Sequence, residues 1–248
     1  MVFNGSTPPC RGGSPGSNPG VRSSLTVLLL NWRRPQNILK VIEGWRAQTV
    51  RIQIFLWDNG DLERDIGKDF PPVDLYVKSS DNLVCYPRWL LGTFAKTKFI
   101  CTNDDDIMVT DSTLAECIIE ELEHKPNDVI IGPLGMRLHN GKYNLTQYWA
   151  NDATVDVVKG RMMCLHTSFL DHVFLRPSTP EIVASTEDIY ISSFSDTKYV
   201  PSFFNGKLRD LPAGKCGLNE SPDHLKRRQR AVDCFFGRPQ HKRPLELL

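Results

Sequence analysis

The stretch LTVLLLNWRRPQNILKVIEGWRAQTVRIQIFLWDNG, residues 25–60, carries two kinds of apolar pattern in turn. Leu25-Thr26-Val27-Leu28-Leu29-Leu30 is an uncharged, largely apolar run with β-branched members, the pattern of a strand buried on both faces. After Asn31-Trp32-Arg33-Arg34, Pro35 stands where a first helical residue is favoured, and Ile38, Val41, Ile42 and Trp45 recur at helical spacing. Ile52 to Trp57 reads as a second buried strand, stopped by the turn signal Asp58-Asn59-Gly60. Strand, helix, strand in this order predicts neighbouring parallel strands joined by a right-handed crossover.

Further along, Asp74 to Lys78 predicts a third strand, Pro87 to Lys96 a helix, and Lys98 to Cys101 a short fourth strand running into Asp104-Asp105-Asp106. The acidic cluster is therefore expected at a strand's carboxyl end, where open α/β sheets bind their ligands. Asp111-Ser112-Thr113 with Glu116 predicts a capping box, and Leu114, Ile118 and Leu122 space one helix face. Beyond residue 130 come strand-like pieces at Asp128 to Ile131, Thr154 to Val158 and Arg161 to His166, separated by polar loops. The expected organisation is one α/β domain over 25–238, with a nucleotide-binding parallel-sheet half (25–111) and a mixed-sheet acceptor half (112–238). Flexible tails are expected at 1–24 and 239–248, the first because it is rich in Gly, Pro and Ser.

Composition narrows the function. Thirty Lys and Arg against 29 Asp and Glu in 248 residues give no bulk field for nucleic acid or an anionic membrane, so phosphate recognition must be local. No apolar run approaches the ~20 residues of a membrane helix. Seven cysteines without a CxxC pair argue against a zinc site and a dense disulfide framework, and with no signal segment visible the expected compartment is reducing and cytoplasmic.

Three constellations carry chemistry. Three adjacent carboxylates repel one another unless a cation or hydrogen-bond donors offset them, and Mn²⁺ or Mg²⁺ bridging a diphosphate is such a cation. On a strand-like segment Asp104 and Asp106 share a face while Asp105 points elsewhere, so that one meets the ribose and the other the metal. The competing reading is a solvated acidic turn ahead of the next helix. An EF-hand loop fails, because Met108 stands at a ligand position. Glu187-Asp188-Ile189 opens a helix. Its carboxylates either complement the helix dipole, or deprotonate an acceptor hydroxyl or stabilise an oxocarbenium-like sugar. His224 and Arg228 share a helix face within the run Lys226 to Arg230, either as a solvated basic face or as a pair directed at a diphosphate.

Taken together, these pieces resemble the glycosyltransferase A fold and, more narrowly, the exostosin-like N-acetylhexosaminyltransferases of glycosyltransferase family 64, with family 2 the nearest alternative. Leu30-Asn31-Trp32-Arg33-Arg34 is similar to that family's first strand and aromatic-x-Arg turn. Phe55-Leu56-Trp57-Asp58-Asn59-Gly60 resembles its second strand, with Asp58 in place of an Asn. The resemblance implies a metal at Asp106 and Asp104. It implies nucleotide-sugar contacts from Asn31, Arg34, Asp58, Asn82, Arg88, Asp104, Asp105, Gly160 and His224. Catalysis falls to Asp188, Glu187 and Arg228, with Asp188 at the reaction centre and Arg228 reaching the diphosphate. It further implies a UDP-sugar donor, a glycan acceptor and retention of anomeric configuration, whereas family 2 enzymes use a similar acidic pair and invert. Departures are Thr186 where animal members have Cys, a bulky Arg161 beside Gly160, and no membrane anchor.

Two other functions compete. A nucleotidyltransferase shares the fold and metal, but Asn31-Trp32-Arg33-Arg34-Pro35 has no glycine for a phosphate loop. A non-catalytic glycan-binding protein would have no need of both acidic motifs. Arg137, His139, Tyr143, Tyr148 and Trp149, between Gly132 and Ala153, are expected near the acceptor, since aromatic faces pack on sugar C–H groups.

Overall fold

A computed structural model describes residues 24–60, 72–143, 146–175, 183–212 and 221–237. The tails expected at 1–24 and 239–248 lie, but for residue 24, outside them.

Strand β1 (Leu25–Asn31) is buried along its whole length and pairs in parallel with β2 (Gln53–Asn59) on one side and β4 (Phe99–Asn103) on the other. Its continuous apolar run is explained by cores on both faces. Val27 and Leu29 pack with Ile38, Val41, Ile42 and Trp45 of α1 (Pro35–Arg46) and with Leu114 and Ile118 of α3 (Leu114–Glu123). Leu28 faces the other way, towards Trp89 and Leu91 of α2 (Pro87–Gly92). Each such fully buried aliphatic side chain contributes roughly 1.5–3 kcal/mol. Pro35 occupies the first turn of α1, as its fixed φ favours. Helix α1 lies so close to β5 (Ile107–Val109) that a Cβ on Gly44 would sit 2.4 Å from the Val109 carbonyl oxygen.

The remaining elements are β3 (Leu75–Ser79), β6 (Ile130–Ile131), β7 (Leu134–Met136), β8 (Gln147–Trp149), β9 (Ala153–Thr154), β10 (Val157–Val158), β11 (Cys164–His166), α4 (Leu170–Leu175), α5 (Glu187–Ser192), β12 (Lys198–Val200), β13 (Leu208–Asp210) and α6 (His224–Phe235). The main sheet has eight strands in the order β3-β2-β1-β4-β11-β6-β12-β9, with smaller sheets β10-β7-β8 and β13-β5 beside it. Strands β3, β2, β1 and β4 are parallel, and β11 joins β4 antiparallel, so the expected parallel half and mixed half meet at β4.

Two local expectations are corrected. Helix α2 stops at Gly92, not Lys96, and the Thr93 hydroxyl takes the carbonyl of Leu90. The capping box before α3 does not form: Asp111 accepts hydrogen bonds from the Thr113 backbone and hydroxyl and pairs with Lys207 at 2.9 Å, and no side chain caps the helix. Among the described residues no helix is long and apolar enough to cross a membrane.

Candidate active site

The strand order reverses between β1 and β4, and a cavity of about 820 Å³ opens beyond their carboxyl ends, where a doubly wound sheet binds its ligand. Trp32 leaves β1 into this cavity and Asp104, Asp105 and Asp106 leave β4. The acidic residues form a turn between β4 and β5 rather than a strand, so the expected alternation of side chains does not govern them. Asn103, which the sequence reading passed over, pins that turn. Its amide donates to the carbonyls of Asp104 (2.6 Å) and Ile107 (2.9 Å), and its Oδ1 accepts from the buried Trp45 indole at 3.0 Å.

Each carboxylate of the turn has its own environment. Asp104 accepts a hydrogen bond from Arg88. Asp105, expected to point away, is buried against β1, where it accepts from the Trp32 backbone at 2.9 Å and from Arg34 at 2.6 Å. Burial pushes its pKa up to about 6, against the pull of Arg34. Asp106 receives Arg34 on one oxygen at 3.2 Å, while its buried Oδ1 accepts no hydrogen bond and has Arg161 3.7 Å away. An unbonded buried carboxylate oxygen suits a hard cation. Among the described residues no three acidic, His or Cys side chains converge as a cage, so a metal on Asp106 would complete its shell from a ligand's phosphates and water, as Mg²⁺ and Mn²⁺ commonly do.

The second acidic pair opens α5. Glu187 receives Arg88 at 3.0 Å, and Asp188 receives Arg228 of α6 at 2.5 Å, all four side chains being buried. The two carboxyls are driven apart. Burial raises the Glu187 pKa to about 7 despite Arg88, whereas for Asp188 the effect of burial is outweighed by Arg228 and Lys159, and its pKa falls below the usual aspartate value. Arg228, which the resemblance directed at a diphosphate, is thus an ion-pair partner of Asp188, its guanidinium 4.7 Å over the Tyr143 ring. His224 lines the cavity, and burial together with Arg228 and Lys159 lowers its pKa, which favours a neutral imidazole.

Gly160 sits between the two ion pairs. Its carbonyl accepts from Arg88 at 2.7 Å and its N–H faces Asp188 at 3.3 Å. A Cβ there would stand 2.9 Å from Glu187 Oε1 and 3.4 Å from both Arg88 and Asp188. Gly160→Ala is therefore expected to cost about 1–3 kcal/mol in urea unfolding, the price of overpacking. It should also push Glu187 and Arg88 apart. Unchanged stability would show that Glu187 yields freely.

Of the other residues expected at the site, Asn82 lines the cavity, while Asn31, Asp58 and Arg88 stand behind its wall. Asn31 donates to Asp58 at 2.8 Å, and Asp58 also accepts from Tyr76, which joins β1, β2 and β3, while the buried Oδ1 of Asn31 accepts no hydrogen bond. Asn59, named in the sequence only as part of a turn signal and of the second-strand motif, lines the cavity and donates to Asn82 at 2.7 Å and to the Val84 carbonyl at 2.8 Å. Val84 has φ +63°, a strained value for a β-branched residue, held where the segment bends into the cavity. Lys159 was also missed: it donates to Tyr143, and burial and Arg228 lower its pKa to about 8. Of the acceptor-side aromatics Tyr143 reaches the cavity, Tyr148 packs against the core and Trp149 is exposed.

No protein-family model matches the sequence, and no curated protein matches it. Solved structures do resemble the fold. S. aureus TarS residues 1–349 in complex with UDP-GlcNAc superposes with a TM-score of 0.61 at 14% identity, over 88% of this chain and 67% of that one. The same protein with UDP gives 0.58 at 15% identity, over 88% and 66%. The mannosyltransferase PcManGT from Pyrobaculum calidifontis, in complex with GDP-Man and Mn²⁺, gives 0.51 at 13% identity, over 77% and 60%. The match thus spans about two thirds of the TarS 1–349 chain. At this identity the likeness establishes architecture: the chain has the α/β glycosyltransferase A fold, with its cavity at the topological switch point.

Proposed function

We propose that the protein transfers a sugar from a nucleotide diphosphate-sugar, with UDP-sugars the first candidates, to a glycan hydroxyl, using Mn²⁺ or Mg²⁺. The observation that carries this reading is a single cavity in which the acidic turn after β4 faces a buried carboxylate pair of divergent protonation. The TarS complexes with UDP and UDP-GlcNAc support the donor class, and the PcManGT complex with Mn²⁺ supports the metal.

In this reading Trp32, Asn59 and Asn82 receive the nucleoside and Asp104 the sugar nucleotide, while Asp106 holds the metal. Acidic side chains outnumber Arg and Lys along the described wall, so a diphosphate needs further positive charge to bind. When bound, the metal supplies that charge and stabilises the departing diphosphate. Asp188 stays ionised and is a poor proton acceptor because Arg228 holds its pKa low, which suits it to stabilising an oxocarbenium-like sugar. That role supports retention of configuration, and an inverted anomer by NMR would count against it.

The direct test is nucleotide binding. UDP with Mn²⁺, each at ~100 times its Kd, is expected to add about 2.7 kcal/mol, a melting shift of roughly 5–10 °C. Asp106→Ala should reduce that shift to the metal-free value. A wild-type protein that no UDP- or GDP-nucleotide stabilises in the presence of Mn²⁺ would sink the reading.

A further inference from the structure

Asp106 has a rival for its open oxygen. The guanidinium of Arg161 lies 3.7 Å from Asp106 Oδ1 and 2.5 Å from Asp210 Oδ1. Its backbone is fixed, because the Arg161 carbonyl accepts from the Asp104 N–H at 2.9 Å, so the residue is tethered to the acidic turn itself. Its side chain is less constrained. Asp210 is 72% exposed, and an ion pair that open to water holds weakly. Arg161, Asp106 and Asp210 all line the cavity.

We propose that Arg161 makes metal binding conditional on the nucleotide. In the free protein its positive charge stands beside Asp106 and opposes a divalent cation there. An incoming diphosphate offers paired anionic oxygens that a planar guanidinium binds bidentately in preference to a single exposed carboxylate, and so draws Arg161 away from Asp106. Asp106 is then open to the metal at the moment when phosphate oxygens arrive to complete the metal's shell. Asp210 acts as the resting place that keeps Arg161 from closing on Asp106. The inference rests on the nucleotide-sugar reading and adds an order of binding to it: nucleotide first, metal second or together with it.

The experiment is an electron paramagnetic resonance titration of free Mn²⁺ against wild type, Arg161→Ala and Asp210→Asn, each with and without UDP, corrected for Mn²⁺ bound by UDP in buffer. Wild type is expected to bind Mn²⁺ weakly alone and at least about tenfold more tightly with UDP, the scale of one unit charge opposing a divalent ion at short range in a screened site. Arg161→Ala should bind Mn²⁺ alone about tenfold more tightly than wild type, gain less from UDP, and bind UDP several-fold more weakly without metal. Asp210→Asn, a change at an exposed side chain, should weaken Mn²⁺ binding in the absence of UDP and keeps the idea testable if Arg161→Ala folds poorly. Equal Mn²⁺ affinity of wild type and both variants without UDP, with UDP-dependent binding intact, overturns the role of Arg161 and leaves the proposed function standing. Failure of wild type to bind Mn²⁺ even with UDP overturns the metal-dependent reading itself.

Discussion

Asp188→Asn is expected to lower Mn²⁺-dependent turnover of a UDP-sugar by about 10³-fold while leaving UDP affinity within about twofold. The amide keeps the shape of the carboxylate; with its oxygen turned to Arg228 and the Gly160 N–H, which donate to Oδ2 in the wild type, it gives up only the 2.9 Å bond from the Ile189 N–H, so the start of α5 stays in place. In the proposed reaction, what disappears is the negative charge that would face the sugar. Arg228 then faces a neutral amide in place of a carboxylate, beside a centre that in the proposed transfer becomes more positive as the bond to the diphosphate breaks, and the barrier rises. Binding responds differently, because UDP is itself anionic and gains from a more positive neighbourhood. Lys159, whose proton Asp188 helps to hold, should fall below its already depressed value of about 8. Turnover of UDP-glucose or UDP-GlcNAc, followed by UDP release and set against UDP calorimetry, separates the two effects. A rate within tenfold of wild type would remove Asp188 from the chemistry.

Much of this site was legible in the sequence where a local pattern had a local cause. The run Leu25 to Leu30 could only be a strand with cores on both faces, and Pro35 with Ile38, Val41, Ile42 and Trp45 could only be a helix laid against it. The place of the acidic cluster at a strand's carboxyl end followed from the strand expected at Lys98 to Cys101, though not its form as a turn, and the Asp188 pair followed from the opening of a helix. Partners were not legible, because ion pairing is decided by residues far apart in the chain. Arg228 meets Asp188 across 40 positions and Arg88 meets Glu187 across 99. Nothing near Arg88 announces that a cation on a six-residue helix will be wholly buried. Strand β5 was overlooked because three residues following a charged turn make no periodic signal, and it exists through pairing with β13 a hundred residues on. Lys159 drew no notice and Arg161 stood only as the start of a strand and a bulky neighbour of Gly160, until β11 pairs with β4 and the Arg161 carbonyl meets the Asp104 N–H.

Arg88→Met is expected to produce the largest loss of stability of any single change at the site, about 3–5 kcal/mol, equivalent to roughly 6–20 °C in melting temperature. Methionine fills much of the same space and spares most of the packing. It leaves behind the Gly160 carbonyl without its 2.7 Å donor, Glu187 without its 3.0 Å partner, and Asp104 without the guanidinium that it shares with them. The cost depends on pH in a definite direction. Glu187 already titrates at about 7 in the folded protein against 4.5 for the free side chain, since burial outweighs the help from Arg88. A folded acid with a raised pKa binds its proton more tightly than the unfolded chain does, so its contribution to stability falls as pH rises from 4.5 through 7. Without Arg88 the folded pKa rises further, the decline continues to higher pH, and the deficit of the variant against wild type widens from pH 5 to pH 8. Urea unfolding at both values measures this directly. A deficit of equal size at the two pH values would assign the loss to packing and to the Gly160 carbonyl, and would mean that Arg88 does not act by holding the charge of Glu187 in the wall of the active site.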